Sequence, residues 1–288
     1  MGCAMDGYKK ADMSRFAVLI LAHGRPELTD TYDHLRSGGY TGRIVVVIDN
    51  EDSKAQGYID RYGEENVYMF NKTWVARECD SMNNFGNRKA ILFARNESFR
   101  IARELGLESF VEMDDDYYYF GHRGLQGAKK TQHLDLIFEW FVEFLLNTSV
   151  KSIAFSQGGD HMGGWDSETI CKRKAMNSFF CLTSRPFKFY GVMNDDVNCY
   201  LLNGRRGDIF LSYMAFQLDQ ADTQSTAGGM TETYKEMGTY LKSFTSVMGC
   251  PSNVSIKIMG TKGRRLHHSI DWHVSVPMIV SEDFKKKD

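Results

Sequence analysis

Three consecutive carboxylates, Asp114, Asp115 and Asp116, follow a short apolar run, Phe110, Val111 and Met113, in the stretch FVEMDDDYYYF. An apolar run that stops at such a cluster reads as a buried strand whose C-terminal end opens into a crevice. Adjacent carboxylates repel one another. A divalent cation among them relieves that repulsion, and hard oxygen ligands suit Mg2+ or Mn2+, which keep positions open for a diphosphate. A solvated acidic turn with capping aspartates would carry the same residues. A second acidic group, Asn194-Asp195-Asp196-Val197, stands where a helix is expected to begin, and simple N-capping accounts for residues of these types there.

The elements that must position these groups are legible in order. Phe16–Ala22 is an unbroken apolar strand ending in His23, Gly24, Arg25 and Pro26. Pro26 suits the first turn of a helix that closes at Gly38–Gly39. Arg43–Asp49 is a second buried strand ending in a carboxylate, so strand, helix and strand form a right-handed crossover unit. A helix over Ser53–Tyr62 and a strand over Val67–Phe70 come next. The longest helical pattern is Asn84–Leu107, with Ile91, Ala94, Ser98, Ile101 and Leu105 on one face and Arg88, Lys89 and Arg95 near its start. A helix start lined with cations favours phosphate, although a solvated charged face has the same composition. Tyr117, Tyr118 and Tyr119 are expected to begin a loop.

Beyond residue 120 the pattern is less regular. Leu134–Leu146 reads as an aromatic core helix and Lys151–Phe155 as a strand. The loop QGGDHMGGW, which holds Asp160, His161 and Trp165, is glycine-rich but lacks a Walker spacing. Lys172, Arg173 and Lys174 precede a strand over Met176–Leu182. A short helix is expected after Thr231, and LHHSIDWH offers His267, His268 and His273.

The 288 residues can bury one large α/β core, or one core with a substantial appended lobe, and a formal net charge of −2 argues against a globally basic nucleic-acid binder. Six cysteines lack CxxC spacing, so neither a zinc knuckle nor a dense disulfide framework is readable, and reduced cytoplasmic thiols account for them. No apolar run approaches the ~20 residues of a membrane span. Residues 1–15 are expected to be a flexible leader.

Taken together, LILAHGRP, Asp49, Ala94-Arg95-Asn96 and the Asp114-Asp115-Asp116 strand end resemble the nucleotide-sugar-binding half of a GT-A glycosyltransferase. The resemblance implies a Rossmann-like α/β fold with a mostly parallel central sheet flanked by helices. It implies one domain over 16–288, with a donor half at 16–120 and an acceptor half at 121–288. His23, Arg25, Asp49, Arg88, Arg95 and Asp115 would bind the donor, a set too generic to name the sugar, and Asp114 and Asp116 would bind Mn2+ or Mg2+. His268 is the candidate third ligand. By the same match Asp196 aligns with the usual base and Asp195 with the acid before it, their roles interchangeable.

The wider set, HGRP, YTGRIVVVIDNED, RKAMNSFF, RPFKFYGVMNDDVN, QSTAGGMT and HHSIDWHV, is similar to the phage TET-associated glycosyltransferases. That resemblance implies transfer of a sugar from a nucleotide sugar, UDP-linked, to 5-hydroxymethylcytosine in DNA, in the cytoplasm of the bacterial host. Lys172, Lys174, Asp160 and Trp165 would then meet the acceptor, with Lys129–Lys130, Arg205–Arg206 and Lys262–Arg265 as further basic clusters and Trp165 or Phe187 as aromatic wedges. A polysaccharide or protein acceptor, or a binding module without turnover, fits the same donor motifs.

Overall fold

The structure, a computed structural model, describes residues 7–28, 30–83, 88, 90–124, 127–161, 171–220, 231–259 and 264–275. Phe16–Leu21 forms strand β1, buried at every position, and Arg43–Asp49 forms β2, buried after its first residue. Apolar runs without alternation have no face for water, so both strands lie inside a sheet covered on two sides. Val67–Phe70 (β3) and Ser109–Asp114 (β4) complete a parallel unit in the order β3, β2, β1, β4. Leu21 pairs with both Val47 and Asp114, so the loop after β1, the end of β2 and the end of β4 open on the same edge. Ligands of open α/β sheets bind at this carboxyl edge.

The sheet continues through Tyr117–Gly124 (β5), Gly127–Lys130 (β6), Val150–Ser156 (β7), Cys171–Lys172 (β8), Phe179–Leu182 (β9) and Ile209–Gln220 (β10). Beyond β4 the order is β9, β7, β10, β5, β6, with β8 beside β10. Because β9 is antiparallel to both β4 and β7, the strand β7 and its parallel neighbour β10 point the same way as β1. Of these strands β5, β8 and β9 run against the rest, so the expected mostly parallel sheet is present. Val254–Met259 (β11) and Arg265–Ile270 (β12) form a separate antiparallel pair.

The helices are Asp30–Ser37 (α1), Ala55–Tyr62 (α2), Lys72–Ala76 (α3), Leu92–Glu104 (α4), Leu134–Leu146 (α5), Asp195–Gly204 (α6), Thr231–Gly249 (α7) and Trp272–Ser275 (α8). They cover the sheet on both faces, and β1 divides itself between the two layers. Ala17, Leu19 and Leu21 pack with Phe93, Phe179 and Leu201, whereas Phe16, Val18 and Ile20 pack with Phe138, Phe141 and Phe155. That is the two-residue period of a strand, with each large buried side chain contributing about 1.5–3 kcal/mol. Among the described residues no helix is long and apolar enough to cross a membrane.

Several expected boundaries move. The helix expected from Pro26 begins at Asp30, because the chain first turns, Leu28 N–H donating to Arg25 C=O. The long helix begins at Leu92 rather than Asn84, which puts Arg95 in its first turn and leaves Arg88 outside it. Lys89 lies outside the described residues. Tyr117–Tyr119 open strand β5 instead of a loop, since they pair with Asp219 and Gln220 of β10, a partner about a hundred residues away. The helix starting at Thr231 is long and runs to Gly249.

Candidate active site

The acidic strand end is built into a lattice of cations. Arg95 is 2% exposed; its Nη2 donates to Asp114 Oδ1 at 2.9 Å, its Nε lies 2.9 Å from Asp195 Oδ2, and its Nη1 lies 3.8 Å from Glu112 Oε2. Its guanidinium sits 5.1 Å from the ring centre of Phe179 and 5.5 Å from that of Phe189. Burial opposes this charge, but the carboxylates of Asp114, Asp195 and Glu112 outweigh it and hold Arg95 above its ordinary value. Arg25, from the loop after β1, donates to Asp115 Oδ1 at 2.5 Å. Thr31 of α1 fixes the turn itself, its hydroxyl donating to Asp114 C=O at 2.6 Å and accepting from Tyr117 N–H at 2.8 Å.

These cations do not balance the cluster. Burial, with the neighbouring carboxylates adding to it, pushes Asp114 and Asp115 up to about 7 against the pull of Arg95 and Arg25. Asp116 is raised in the same direction, chiefly by burial. Asp115 Oδ2 is buried and has no hydrogen-bond partner among the described residues. A hard divalent cation fits this donor set, since it supplies the missing positive charge and takes carboxylate oxygens. Among the described residues, however, no three His, Cys, Asp or Glu side chains are already gathered as a ligand shell.

Along the same edge, Asp49 is 3% exposed and fully engaged. His23 Nδ1 lies 2.8 Å from its Oδ2, Lys72 Nζ lies 3.0 Å from the same oxygen, and Oδ1 accepts from Glu51 N–H at 3.0 Å. Burial alone would raise this carboxyl; the His23 hydrogen bond and the Lys72 charge outweigh it and hold it low. Sequence reasoning misses Lys72, on the short helix α3, and Asp52, which accepts from Gly24 N–H at 2.6 Å. The only local signal for the lysine is its place just after a strand that ends beside Asp49. Arg88 stands at the rim, half-exposed, 2.7 Å from Glu51.

On the other side, the helix expected at Asp195 is present, and Asn194 enters it in the left-handed conformation, φ 53°. Asn194 does not cap the helix. Its amide instead donates to Lys242 C=O at 2.8 Å and to Ser246 Oγ at 3.2 Å, and lies 3.4 Å from His268 Nδ1. Asn198 braces the turn from within α6, donating to the carbonyls of Tyr190 and Met193, each at 3.0 Å. The result separates two residues that sequence leaves interchangeable. Asp195 turns inward to Arg95, while Asp196 keeps its carboxylate beside its own helix start, accepting from Val197 N–H at 2.7 Å. His268 is held neutral, pushed down to about 4 by burial and by the charges of His267, Lys242 and Lys174. Neutral imidazole is the ligating form, but the structure seats His268 against Asn194 rather than within a ready shell with Asp114 and Asp116.

Three further expectations change. Arg95 cannot reach a donor, because it is buried beneath the acidic cluster with its guanidinium taken up by carboxylates and aromatic faces. Lys174 and Lys172 do not form a separate basic patch. Their ammonium groups lie 2.5 and 3.7 Å from buried Asp160, joining three residues expected to meet the acceptor into one cluster. Phe187 is no wedge, being 7% exposed and packed among Phe99, Phe189 and Phe210. Trp165 lies outside the described residues.

The sequence model of one family, described as TAGT: TET-Associated Glycosyltransferase, matches residues 16–229. None of the curated proteins matches the sequence. Among solved structures, glucosyl-3-phosphoglycerate synthase from Mycobacterium tuberculosis, in complex with Mg2+ and uridine diphosphate, is 11% identical with a TM-score of 0.47, covering 92% of this chain and 91% of its own. The same enzyme with Mn2+ and UDP-glucose gives 12% identity and a TM-score of 0.48, over 92% and 90%. S. aureus TarS 1–349 gives 12% and 0.44, over 81% and 65%.

Proposed function

Because the chain belongs to the TET-associated glycosyltransferase family, and is thereby a glycosyltransferase, we propose that it moves a sugar from a UDP-sugar to the hydroxyl of 5-hydroxymethylcytosine in DNA. The observation that carries the reading is that the acidic end of β4, at the carboxyl edge of the sheet, and the acidic start of α6 meet across Arg95. We assign the donor to the half at 16–120 and the acceptor to the half at 121–288, working in the cytoplasm of a phage-infected host.

In this reading Asp114 and Asp116 hold Mn2+ or Mg2+, with His268 as the candidate third ligand. A bound divalent cation supplies Lewis-acid neutralisation of the charge that grows on the departing diphosphate. The remaining work falls to the chain's own side chains. His23 and Asp49 meet the base and ribose, Arg88 approaches the phosphates from the rim, and Arg25 keeps Asp115 turned toward the sugar. Asp196 accepts the proton of the acceptor hydroxyl if the anomeric centre inverts, and positions that hydroxyl if it does not. Lys172 and Lys174, with Asp160 between them, meet the acceptor. DNA is supported by the family description, and by the exposure of Lys129, Lys130, Arg264 and Arg265.

The test is a transfer assay with UDP-sugars on hydroxymethylated and unmodified duplexes of one sequence, with and without chelator. The expected result is metal-dependent transfer to the hydroxymethylated duplex alone. Transfer to a polysaccharide or protein hydroxyl but to neither duplex would replace the acceptor. UDP-sugar binding with no turnover on any acceptor would leave a binding module.

A further inference from the structure

Arg95 and Asn96 sit side by side in the first turns of α4, and each reaches across the molecule. Asn96 clamps the backbone at Phe189, its amide nitrogen donating to Phe189 C=O at 3.1 Å and its oxygen accepting from Phe189 N–H at 3.0 Å. That fixes the chain five residues ahead of Asn194. Arg95 fixes the start of α6 itself: one guanidinium, 2% exposed, lies 2.9 Å from Asp114 on β4 and 2.9 Å from Asp195 on α6. Two carboxylates, from a strand and a helix far apart in sequence, are thus held at one spacing by a single planar fork.

We propose that Arg95 is a positioning residue that couples the metal-side carboxylate of Asp114 to the helix start that presents Asp196, with Asp195 as the intermediary. This rests on the reading of the crevice as a glycosyltransferase site. A guanidinium suits the task because its donors point in fixed directions, so it serves two carboxylates at once, whereas an ammonium on a flexible stem serves one at a time. Phe179 and Phe189, packed edge to face with each other 4.9 Å apart, lie together against one side of the guanidinium and restrict its movement there. Glu112, fully buried, lies 3.8 Å from the third nitrogen, beneath the fork. Binding at Asp114 and the placement of Asp196 are then not independent, since any shift of the fork toward one carboxylate is a shift away from the other.

Arg95→Lys keeps the charge and loses the fork. In a metal-dependent transfer assay with UDP-glucose and hydroxymethylated duplex, kcat is expected to fall on the order of 100-fold while the donor KM stays within about twofold. Asp195→Asn should give a similar loss, and the double variant little more than either, because both break the same link. A raised donor KM at unchanged kcat would make Arg95 a donor contact and overturn the proposal. So would losses that multiply in the double variant, or a lowered melting temperature with full kcat in the folded fraction. The side-chain N–H resonance of Arg95 provides a readout that needs no turnover. It should shift in both Asp114→Asn and Asp195→Asn, and a shift in only one would show that no shared guanidinium exists in solution. No transfer by the wild-type protein, with both shifts present, would sink the glycosyltransfer reading of the substrates and leave the link in place.

Discussion

Lys72 Nζ lies 3.0 Å from Asp49 Oδ2, and both side chains are only 5% exposed. The pair joins the start of α3 to the end of β2 at the edge where the donor is proposed to bind. Removing one partner of a buried ion pair leaves a charge without compensation. Lys72→Met is expected to cost about 2–3 kcal/mol, less than the full loss of a buried pair because His23 still contacts the carboxylate. Urea denaturation measures the loss, and Asp49→Asn in the same background should recover part of it. No loss in the single variant would mean that the lysine is not paired in solution.

The same carboxylate gives a pH dependence with a defined sign. Asp49 is held below its ordinary value in the folded state, so its contribution is fully present above the unfolded value of about 3.9 and is lost as pH falls through the folded value. Asp49→Asn should therefore narrow its stability gap to wild type as pH is lowered below about 4. Denaturation midpoints measured from pH 6 to pH 2.5 check this, and a gap that stays constant would contradict it.

Asp114 and Asp116 are expected to behave alike in catalysis and differently in stability. Either alanine variant should reduce metal-dependent transfer by about 100-fold or more, if each supplies a metal ligand. Asp116 forms no ion pair among the described residues, and burial raises it against the pull of Arg25, so Asp116→Ala should leave the melting temperature unchanged or raised. Asp114→Ala instead takes a partner from buried Arg95 and should lower it. Calorimetry with Mn2+ and UDP reads the metal arm, and thermal melts read the other. Full activity of both variants in excess chelator would remove the metal from the mechanism.

Asp196→Asn keeps the side chain's shape and its acceptor oxygen for Val197 N–H, but cannot take a proton. For an inverting enzyme turnover should drop by roughly 10²–10⁴ with the donor KM barely changed. A variant with wild-type kcat would move the base elsewhere.

Binding to DNA should weaken with salt in proportion to the phosphates neutralised. Lys172 suits this test better than Lys174, because Lys174 lies 2.5 Å from Asp160 and its loss would strip that buried carboxylate. Lys172→Gln is expected to raise the acceptor KM and to reduce the salt slope by about one. Transfer to DNA that ignores salt would count against the acceptor.

The strands β1, β2, β3 and β4 and the acidic end of β4 are readable from sequence, because continuous apolar runs and an abrupt stop are local signals that need no partner. So are the helix at Leu134–Leu146, from its aromatic period, and the helix start at Asp195. What tertiary structure decides is which charges meet. Arg95 reads as a phosphate contact in the sequence because a cation near a helix start normally faces solvent. Its actual partners arrive from β4 and α6, and burial against two adjacent phenylalanine rings takes it away from solvent. Likewise Asp195 and Asp196 are the same residue type one position apart, and only the hundred-degree step of a helix, set against Arg95, sends one inward and leaves the other beside its own helix start. Tyr117–Tyr119 form a strand for the same reason. A β-pair is made by its distant partner, here β10, and no local pattern of three tyrosines contains it.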